Sequence, residues 1–256
     1  MQTPITYEFP LNERIRVFIR LEQLFLQFLH FSLGGTVADK RAAIAVLLDI
    51  MSIFRRNDLK SEVLKELDRQ ATVLNKIAHS EGVDTSRLQD ILDELADISR
   101  KLYAITGKIG IHVMESDLFQ SIAQRSSIPG GTCSFDLPEY HYWLEQDDDL
   151  CQQDLQQWSA PFIDIYTAIA FMLNFIRNSR SSSHEVAEAG FFQIALDKNQ
   201  AFQLIKVSVD SDQNCFAEIS GGKHRCTIRF MQPASLDQRP TQCTSNIHFT
   251  LTCCLF

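Results

Sequence analysis

The spacing of apolar residues changes near residue 180, and this change predicts two structural regions. Up to about residue 178, apolar side chains recur at steps of three and four, the period of an amphipathic α-helix. From about residue 179, apolar and polar residues alternate in short runs, the period of a half-buried β-strand. We therefore expect an α+β protein. Its α-helical domain covers residues 10–178, and residues 1–9 join 179–256 in an antiparallel β-sheet or sandwich domain.

The helical region begins with two predicted helices. The first lies within residues 11–31, where one narrow polar stripe follows an otherwise apolar helix and Asn12 is a suitable N-cap. The second covers residues 38–55. Later in the region, a helix is predicted at 111–125.

The last predicted helix of this region runs from Ala160 to Arg177. Ser159 is expected to cap it, with Pro161 in its first turn, where a missing amide proton costs little. We therefore expect the helical region to end close to the change in spacing.

Two longer apolar stripes run from Leu59 to Ala78 and from Leu88 to Ile105. Glu81–Asp84 between them supplies a turn and an N-cap, which predicts an antiparallel helical hairpin. The heptad-like spacing also fits a dimeric coiled coil, but it lasts for few heptads, so packing within one chain is favoured.

Residues 127–144 are predicted to be irregular, because Pro129 and Pro138 bracket them and Gly130-Gly131 permits dihedrals closed to other residues. A glycine pair can form an anion-binding nest. Without a following lysine and a preceding strand, a structural turn is the favoured interpretation.

Five short alternating runs in the last part of the chain predict strands joined by turns, including one at Gly221-Gly222. The run Thr3–Phe9 predicts an additional edge strand, which would tie the two domains together, and the serine-rich segment 179–183 is the most linker-like stretch. The predicted C-terminal strands are Phe191–Leu196, Phe202–Asp210, Phe216–Ile219, His224–Met231 and Asn246–Cys254.

The segment from Ile219 to Met231 is a basic strand within an acidic protein. Alternation directs one set of side chains to each face: Lys223, Arg225, Thr227 and Arg229 to the first, and His224, Cys226, Ile228 and Phe230 to the second. The second set suits a core. The first set forms a cationic row in which Arg225 and Arg229 lie roughly 13 Å apart, a spacing that fits a peptide with separated carboxylates. The alternative is a solvated outer face.

The whole chain carries 24 Lys and Arg against 32 Asp and Glu, a formal net charge of −8. This balance argues against nonspecific binding to nucleic acid, which requires a broad basic surface. A local basic row can still select an acidic peptide.

The N-terminal residues lack the pattern of a signal peptide, and the most apolar segment, 161–176, is too short to span a membrane and contains Asp164 and Asn174. We therefore expect a cytoplasmic protein that does not act at a membrane. The seven cysteines form no CxxC pair and no zinc-ligand spacing, which favours reduced, buried thiols and no metal or cofactor.

Candidate catalytic groups are Cys133 with His141, or Cys226 with His224 and His248, but none lies in a recognisable nucleophile motif. A binding module without catalytic residues is favoured. A cysteine-dependent enzyme that uses Cys133 and His141 is the alternative.

Four separated blocks resemble the ZapD family of bacterial cell division proteins. They are Leu11–Arg16, Leu64–Gln70, Ser127–Gly131 with Cys133–Pro138, and Ile219–Gly221 with Ile228–Met231. The similarity extends from the first residue to about Cys254.

The resemblance implies a symmetric homodimer that binds the short, partly acidic C-terminal tail of the tubulin-like GTPase FtsZ in a basic pocket. It also implies that the dimer bundles FtsZ filaments in the Z-ring at midcell, with no cofactor or catalysis. The pocket residues of the family correspond here to Arg20, Arg56, His141, Arg225 and Arg229, to which the basic strand adds Lys223. Asp117 departs from the family pattern, because relatives can carry a basic residue there.

Overall fold

The computed structural model describes residues 3–77, 85–197, 199–222, 224–235 and 237–255. It confirms the predicted α+β class, with helices through the first two thirds of the chain and antiparallel strands in the last third. The chain divides into two compact units. One comprises Met1–Ile19 with Met172–Phe256, and the other comprises Arg20–Phe171.

The first two helices lie close to their predicted positions. α1 (Glu13–Ser32) begins where the Asn12 side chain accepts a hydrogen bond from the Ile15 amide at 2.9 Å, which confirms the predicted N-cap. α2 (Val37–Arg56) begins with a capping box between Thr36 and Asp39.

The predicted helical hairpin is confirmed by α3 (Leu59–Ile77) and α4 (Thr85–Ala104), which pack against each other. Leu67 and Leu74 of α3 are buried, as are Leu95 and Leu102 of α4. The predicted turn at Glu81–Asp84 lies outside the described residues.

The single helix predicted at 111–125 is wrong, because two helices occupy this segment. α5 (Ile111–Met114) ends before Ser116, whose hydroxyl accepts from the Phe119 amide and caps α6 (Asp117–Arg125). Within the segment predicted to be irregular, residues 138–144 form α7 (Pro138–Leu144), with Pro138 in its first turn.

The start predicted for the last helix is also wrong, because α8 (Asp148–Asn178) begins eleven residues before Ser159. The Asp147 carboxylate accepts from the Asp149 amide at 3.0 Å, so the acidic run starts the helix, where carboxylates favour the dipole. Ser159 does not cap; its hydroxyl donates to the Gln156 carbonyl at 3.2 Å. Pro161 therefore lies inside the helix.

The expectation that the apolar segment 161–176 is too short to span a membrane is wrong in its length argument, because α8, which contains it, is long and apolar enough by length and composition. The most apolar window of α8 has a mean hydropathy of 1.4. The core helix of a soluble protein satisfies the same criterion, and 44% of that window is buried inside the protein. Phe162, Ile165 and Ile169 of this helix have no exposed surface. The burial of these side chains is that of a core helix.

Within the described residues, eight strands form two antiparallel sheets. The first sheet has the order β1-β4-β8-β2, and the second has the order β3-β6-β5, with β7 paired to β6. The strands are β1 (Ile5–Pro10), β2 (Arg180–Ala187), β3 (Phe191–Ala195), β4 (Leu204–Val209), β5 (Phe216–Gly222), β6 (Arg225–Gln232), β7 (Thr241–Gln242) and β8 (Ile247–Cys254).

Two expectations about this region are wrong. The serine-rich segment is not a linker, because β2 pairs with β8 along its whole length and Ser182 hydrogen-bonds Thr252 at 3.0 Å. Gly221-Gly222 is not a turn, because both glycines belong to β5 and pair with β6. The edge strand predicted at the N-terminus is confirmed by β1, which pairs with β4.

The core of the β-unit lies between the two sheets. Ile205, Val207 and Leu251 of the first sheet are buried in the same cluster as Ile228 and Phe230 of the second. The rings of Phe230 and Phe249 lie 5.1 Å apart. This packing determines which face of β6 points inward.

Candidate functional site

The two faces of β6 have opposite chemistry. Cys226, Ile228 and Phe230 have no exposed surface, as predicted for the core face. Arg225 and Arg229 are exposed on the other face, and Thr227 between them is half-buried. We call Arg225, Thr227 and Arg229 the β6 row.

One described member of the predicted strand lies off its predicted face. His224 was expected on the core face, but it is exposed and lies just before the strand begins at Arg225. The His224 carbonyl still accepts a hydrogen bond from the Leu196 amide at 3.0 Å, but the residue lies in the turn between β5 and β6, so the alternation of the strand does not apply to its side chain. Lys223 lies outside the described residues.

The register of the sheet sets the neighbours of the β6 row. On the β3 side, Arg229 pairs with Phe191 and Arg225 pairs with Ala195. On the β5 side, Arg229 pairs with Glu218 and Arg225 pairs with Gly222. Directly opposed residues share a face, with Cβ atoms about 4.5–5.5 Å apart. The row therefore has an aromatic and a carboxylate beside Arg229, and only small neighbours beside Arg225.

The small neighbours leave an open depression beside Arg225. It has a volume of about 380 Å³ and is lined by Arg225, Thr227, His224, Ser220, Gly221 and Gly222. A Cβ atom added at Gly222 would meet nothing within 4 Å. The depression therefore has room for a ligand side chain.

Neither guanidinium of the β6 row is held by a side chain within the described part of the protein. Arg225 and Arg229 form no ion pair and no side-chain hydrogen bond with any residue that the structure describes. Arg177, by contrast, binds Glu8 through two nitrogens at 2.8 and 2.9 Å. The row is therefore free to pair with an external carboxylate, whereas Arg177 is a structural arginine.

In the helical unit, Arg20 of α1 is exposed, and exposed Arg56 ends α2. Arg56 lines a pocket of about 470 Å³ with Arg55, Lys60, Lys108 and the apolar side chains of Phe54, Leu59 and Ile109.

The basic groups of this pocket differ in how they are held. Arg55 donates to the Met114 carbonyl at 2.5 Å, and Lys60 donates to the Ile105 carbonyl at 2.6 Å. Arg56 and Lys108 make no such contact with the described residues. These two cations are therefore the available ones in the pocket.

His141 is exposed in the last turn of α7, with its Nδ1 atom 4.0 Å from the Glu145 carboxylate. The loop before it is anchored by Arg41, which donates to the Thr132 hydroxyl at 3.0 Å and lies over the Tyr140 ring. Turn hydrogen bonds occupy the amides of Gly131 and Cys133. This use of the amides favours a structural turn over an anion nest.

Asp117, the departure from the family pattern, is the exposed first residue of α6. An acidic side chain there favours the helix dipole. Asp117 therefore stabilises the start of α6, which a basic residue at this position would not do.

The geometry gives little support to thiol catalysis. Burial raises the pKa of Cys226 to about 11, and its intended partner His224 is exposed, so that pair is not assembled. Cys133 is the one exposed thiol, and no hydrogen bond joins it to His141. Across the described ranges, no group of three or more His, Cys, Asp or Glu side chains is placed to hold a metal ion.

Comparison with known proteins identifies the family. Residues 19–229 match the family model ZapD, described as a cell division protein. A protein of Methylococcus capsulatus named cell division protein ZapD is 47% identical over 255 residues, covering 100% of both chains. The chain belongs to the ZapD family of cell division proteins.

Two further relatives carry the same name. The ZapD protein of Nitrosomonas eutropha is 40% identical over 98% of this chain and 99% of its own length. That of Chromobacterium violaceum is 36% identical over 98% of this chain and 100% of its own length. The resemblance predicted from the four sequence blocks is therefore confirmed, and a role in cell division follows from the family.

Sequence patterns missed three residues of the β6 surroundings: Phe191, Glu218 and Gly222. Each lies on another strand, so its place beside an arginine depends on register. Phe191 could have been found from the sequence of β3 itself, because alternation along that strand places this apolar residue on the polar face.

Proposed function

We propose that this ZapD family member binds the C-terminal tail of FtsZ and, as a homodimer, cross-links and bundles FtsZ filaments in the Z-ring. The proposal includes a cytoplasmic location at the midcell division site and no catalytic activity. The residues assigned to tail binding are Arg225, Arg229, Arg56, Arg20, His141 and Lys223. Family membership supports the role in division. The observation that carries the binding proposal is that Arg225 and Arg229 are exposed and form no ion pair with any residue that the structure describes.

The chemistry of the arginines suits a partly acidic tail. A guanidinium presents a rigid fork of donors that pairs with a carboxylate through two parallel hydrogen bonds. An arginine already paired within the protein would have to break that contact first. Arg225 and Arg229 need no such step.

Bundling requires two sites in one assembly. A short tail that becomes ordered on binding pays conformational entropy, so one tail in one site binds weakly. A dimer with two sites, facing a filament that displays many tails, raises the effective concentration of the second tail. Weak single contacts then hold two filaments together.

The decisive experiment is co-pelleting of FtsZ filaments with this protein. We expect full-length FtsZ to pellet in bundles with the protein, and FtsZ without its last residues to polymerise but neither bundle nor retain it. Equal bundling of both FtsZ forms would overturn the assignment of the tail as the ligand.

A variant tests the arginine row in the same assay. Arg229→Glu is expected to abolish bundling, because it places a carboxylate where the tail needs a cation. Arg239→Glu is the matched control, because it makes the same charge change at another exposed arginine of the β-unit. Undiminished bundling by a folded Arg229→Glu protein would show that the row is not the site.

The contribution of the helical unit needs its own variants. Arg20→Glu and Arg56→Glu should each weaken binding of a tail peptide, and the affinity of the unaltered protein should fall as salt is added. Sedimentation equilibrium should give twice the mass of one chain. A monomeric mass at assay concentrations would contradict the bivalent mechanism.

A further inference from the structure

The two ends of the β6 row differ in what surrounds the guanidinium. Arg229 lies between Phe191 of β3 and Glu218 of β5. Phe191 keeps 40% of its surface exposed, because the next residue, Phe192, packs inward on Phe249 and alternation places Phe191 on the outer face. An exposed aromatic ring therefore lies beside a cation that forms no ion pair with a described residue, so apolar and cationic surface meet at this point.

Side chains directly opposed in an antiparallel pair lie on the same face with Cβ atoms about 5 Å apart. A ligand side chain resting on the Phe191 ring is therefore close enough to Arg229 for a nearby carboxylate of the same ligand to reach the guanidinium. The Glu218 carboxylate on the opposite side of Arg229 repels an acid that approaches from β5. The approach from the Phe191 side is thus the favourable one.

We propose that Phe191 is the apolar anchor of the peptide site and that Glu218 is its charge filter. The outer face of the second sheet then selects an acidic peptide in which an apolar side chain adjoins a carboxylate. This inference rests on the function proposed above and specifies the class of peptide that the site prefers.

The surroundings of Arg225 fit a different part of the peptide than the surroundings of Arg229 do. The Arg225 neighbours Ala195 and Gly222 offer no apolar ring and no competing charge, and the depression of about 380 Å³ opens beside Arg225. A second carboxylate fits there without an apolar companion. Because the two arginines lie about four strand residues apart, an extended peptide places its two acids about four positions apart.

The test is a titration of labelled peptides followed by fluorescence anisotropy. The probes are the FtsZ C-terminal tail peptide and a copy in which the apolar residues that adjoin its carboxylates are replaced by serine. The proteins are the unaltered chain, Phe191→Ser, Phe191→Leu, Glu218→Gln and Arg229→Glu. Thermal unfolding of each variant checks that the sandwich is intact.

We expect Phe191→Ser to weaken binding of the native tail about tenfold, the effect of losing contact with one apolar side chain. Phe191→Leu should keep the affinity within about threefold, because an apolar surface remains. The serine-substituted peptide should bind the unaltered chain and Phe191→Ser equally. Glu218→Gln should bind the native tail about threefold more tightly, since a repulsive charge is removed.

Failure of this inference differs from failure of the proposed function. If Arg229→Glu abolishes binding while Phe191→Ser binds both peptides like the unaltered chain, the apolar anchor is wrong and the tail site stands. If Phe191→Ser lowers the affinity for both peptides equally, Phe191 does not contact the apolar side chain of the peptide, and the inference is again wrong. If the unaltered chain binds neither peptide, both proposals fail.

Discussion

The inner and outer faces of β6 are built from alternate residues of one strand, yet one face packs in the core and the other is exposed to solvent. The inner residues Cys226, Ile228 and Phe230 have no exposed surface and pack in the core between the sheets. The outer residues Arg225 and Arg229 are exposed and make no ion pair with the described residues. A central strand with a well-packed inner face holds its outer face rigidly.

This difference separates stability from binding within eight residues. Changes to the inner face should alter the free energy of unfolding, and changes to the outer face should alter affinity for an acidic peptide. Four substitutions test how complete that separation is.

The largest expected effect is on the inner face. Phe230→Ala removes a fully buried ring that packs 5.1 Å from Phe249, so we expect a loss of about 3–5 kcal/mol in the free energy of unfolding. Urea denaturation measures this loss. Arg229→Ala is the control on the outer face and should change stability by less than about 0.5 kcal/mol. Similar losses in both variants would mean that the faces are not separate.

The second effect concerns the buried thiol of the inner face. Burial raises the pKa of Cys226 to about 11, so the unfolded chain ionises this thiol at a lower pH than the folded chain does. Stability is therefore fully present below the unfolded pKa and is lost as the pH rises from about 9 to about 11. The loss is on the order of 2 kcal/mol. Cys226→Ala should reduce this dependence in denaturation measured at each pH, and burial of Cys215, whose pKa is also raised to about 11, should maintain the remainder. An unchanged slope would contradict the assignment to Cys226.

A smaller effect is expected from a new charge on the outer face. Gly222 pairs with Arg225, and an added Cβ atom there meets nothing within 4 Å. Gly222→Asp should therefore fold and place a carboxylate beside Arg225, which lowers peptide affinity about fivefold. Gly222→Asn is the matched control of equal size without charge. Equal affinities of the two variants, measured by calorimetry, would remove Arg225 from the site.

The smallest effect is expected at Thr227, which lies between the two arginines. Thr227→Val keeps the shape and β-branching of the side chain and replaces only the hydroxyl with a methyl group. Stability should change by less than about 0.5 kcal/mol and peptide affinity by less than about twofold. A larger loss of affinity would mean that the Thr227 hydroxyl contacts the ligand directly.

Local patterns predicted most elements, and the errors have physical causes. Helices α1 to α4 were predicted within a few residues, because each has a long apolar stripe and most have a clear end. The start of α8 was missed because Ser159 and Pro161 imitate a helix start, whereas the true start uses the acidic run near Asp148. β2 was missed because its serines have low strand propensity and are held by pairing with β8.

In the candidate site, too, some residues were predicted from local patterns and others were missed. Arg225 and Arg229 were predicted because alternation along one strand assigns them to one face. Phe191 and Glu218 were not predicted, because nothing near Arg229 in the chain specifies which residues lie across the ladder. His224 was placed wrongly because alternation was extended one residue beyond the start of β6, into the turn that joins it to β5.

The sequence by itself determined the class of fold, the opposite chemistry of the two faces of β6, and membership of the ZapD family. Periodicity and motif blocks are properties of the chain that survive without coordinates. Only the tertiary structure decided that an aromatic ring and a carboxylate flank Arg229, and that open space lies beside Arg225. The reason is that register depends on hydrogen bonding between strands distant in sequence and on the packing of a shared core.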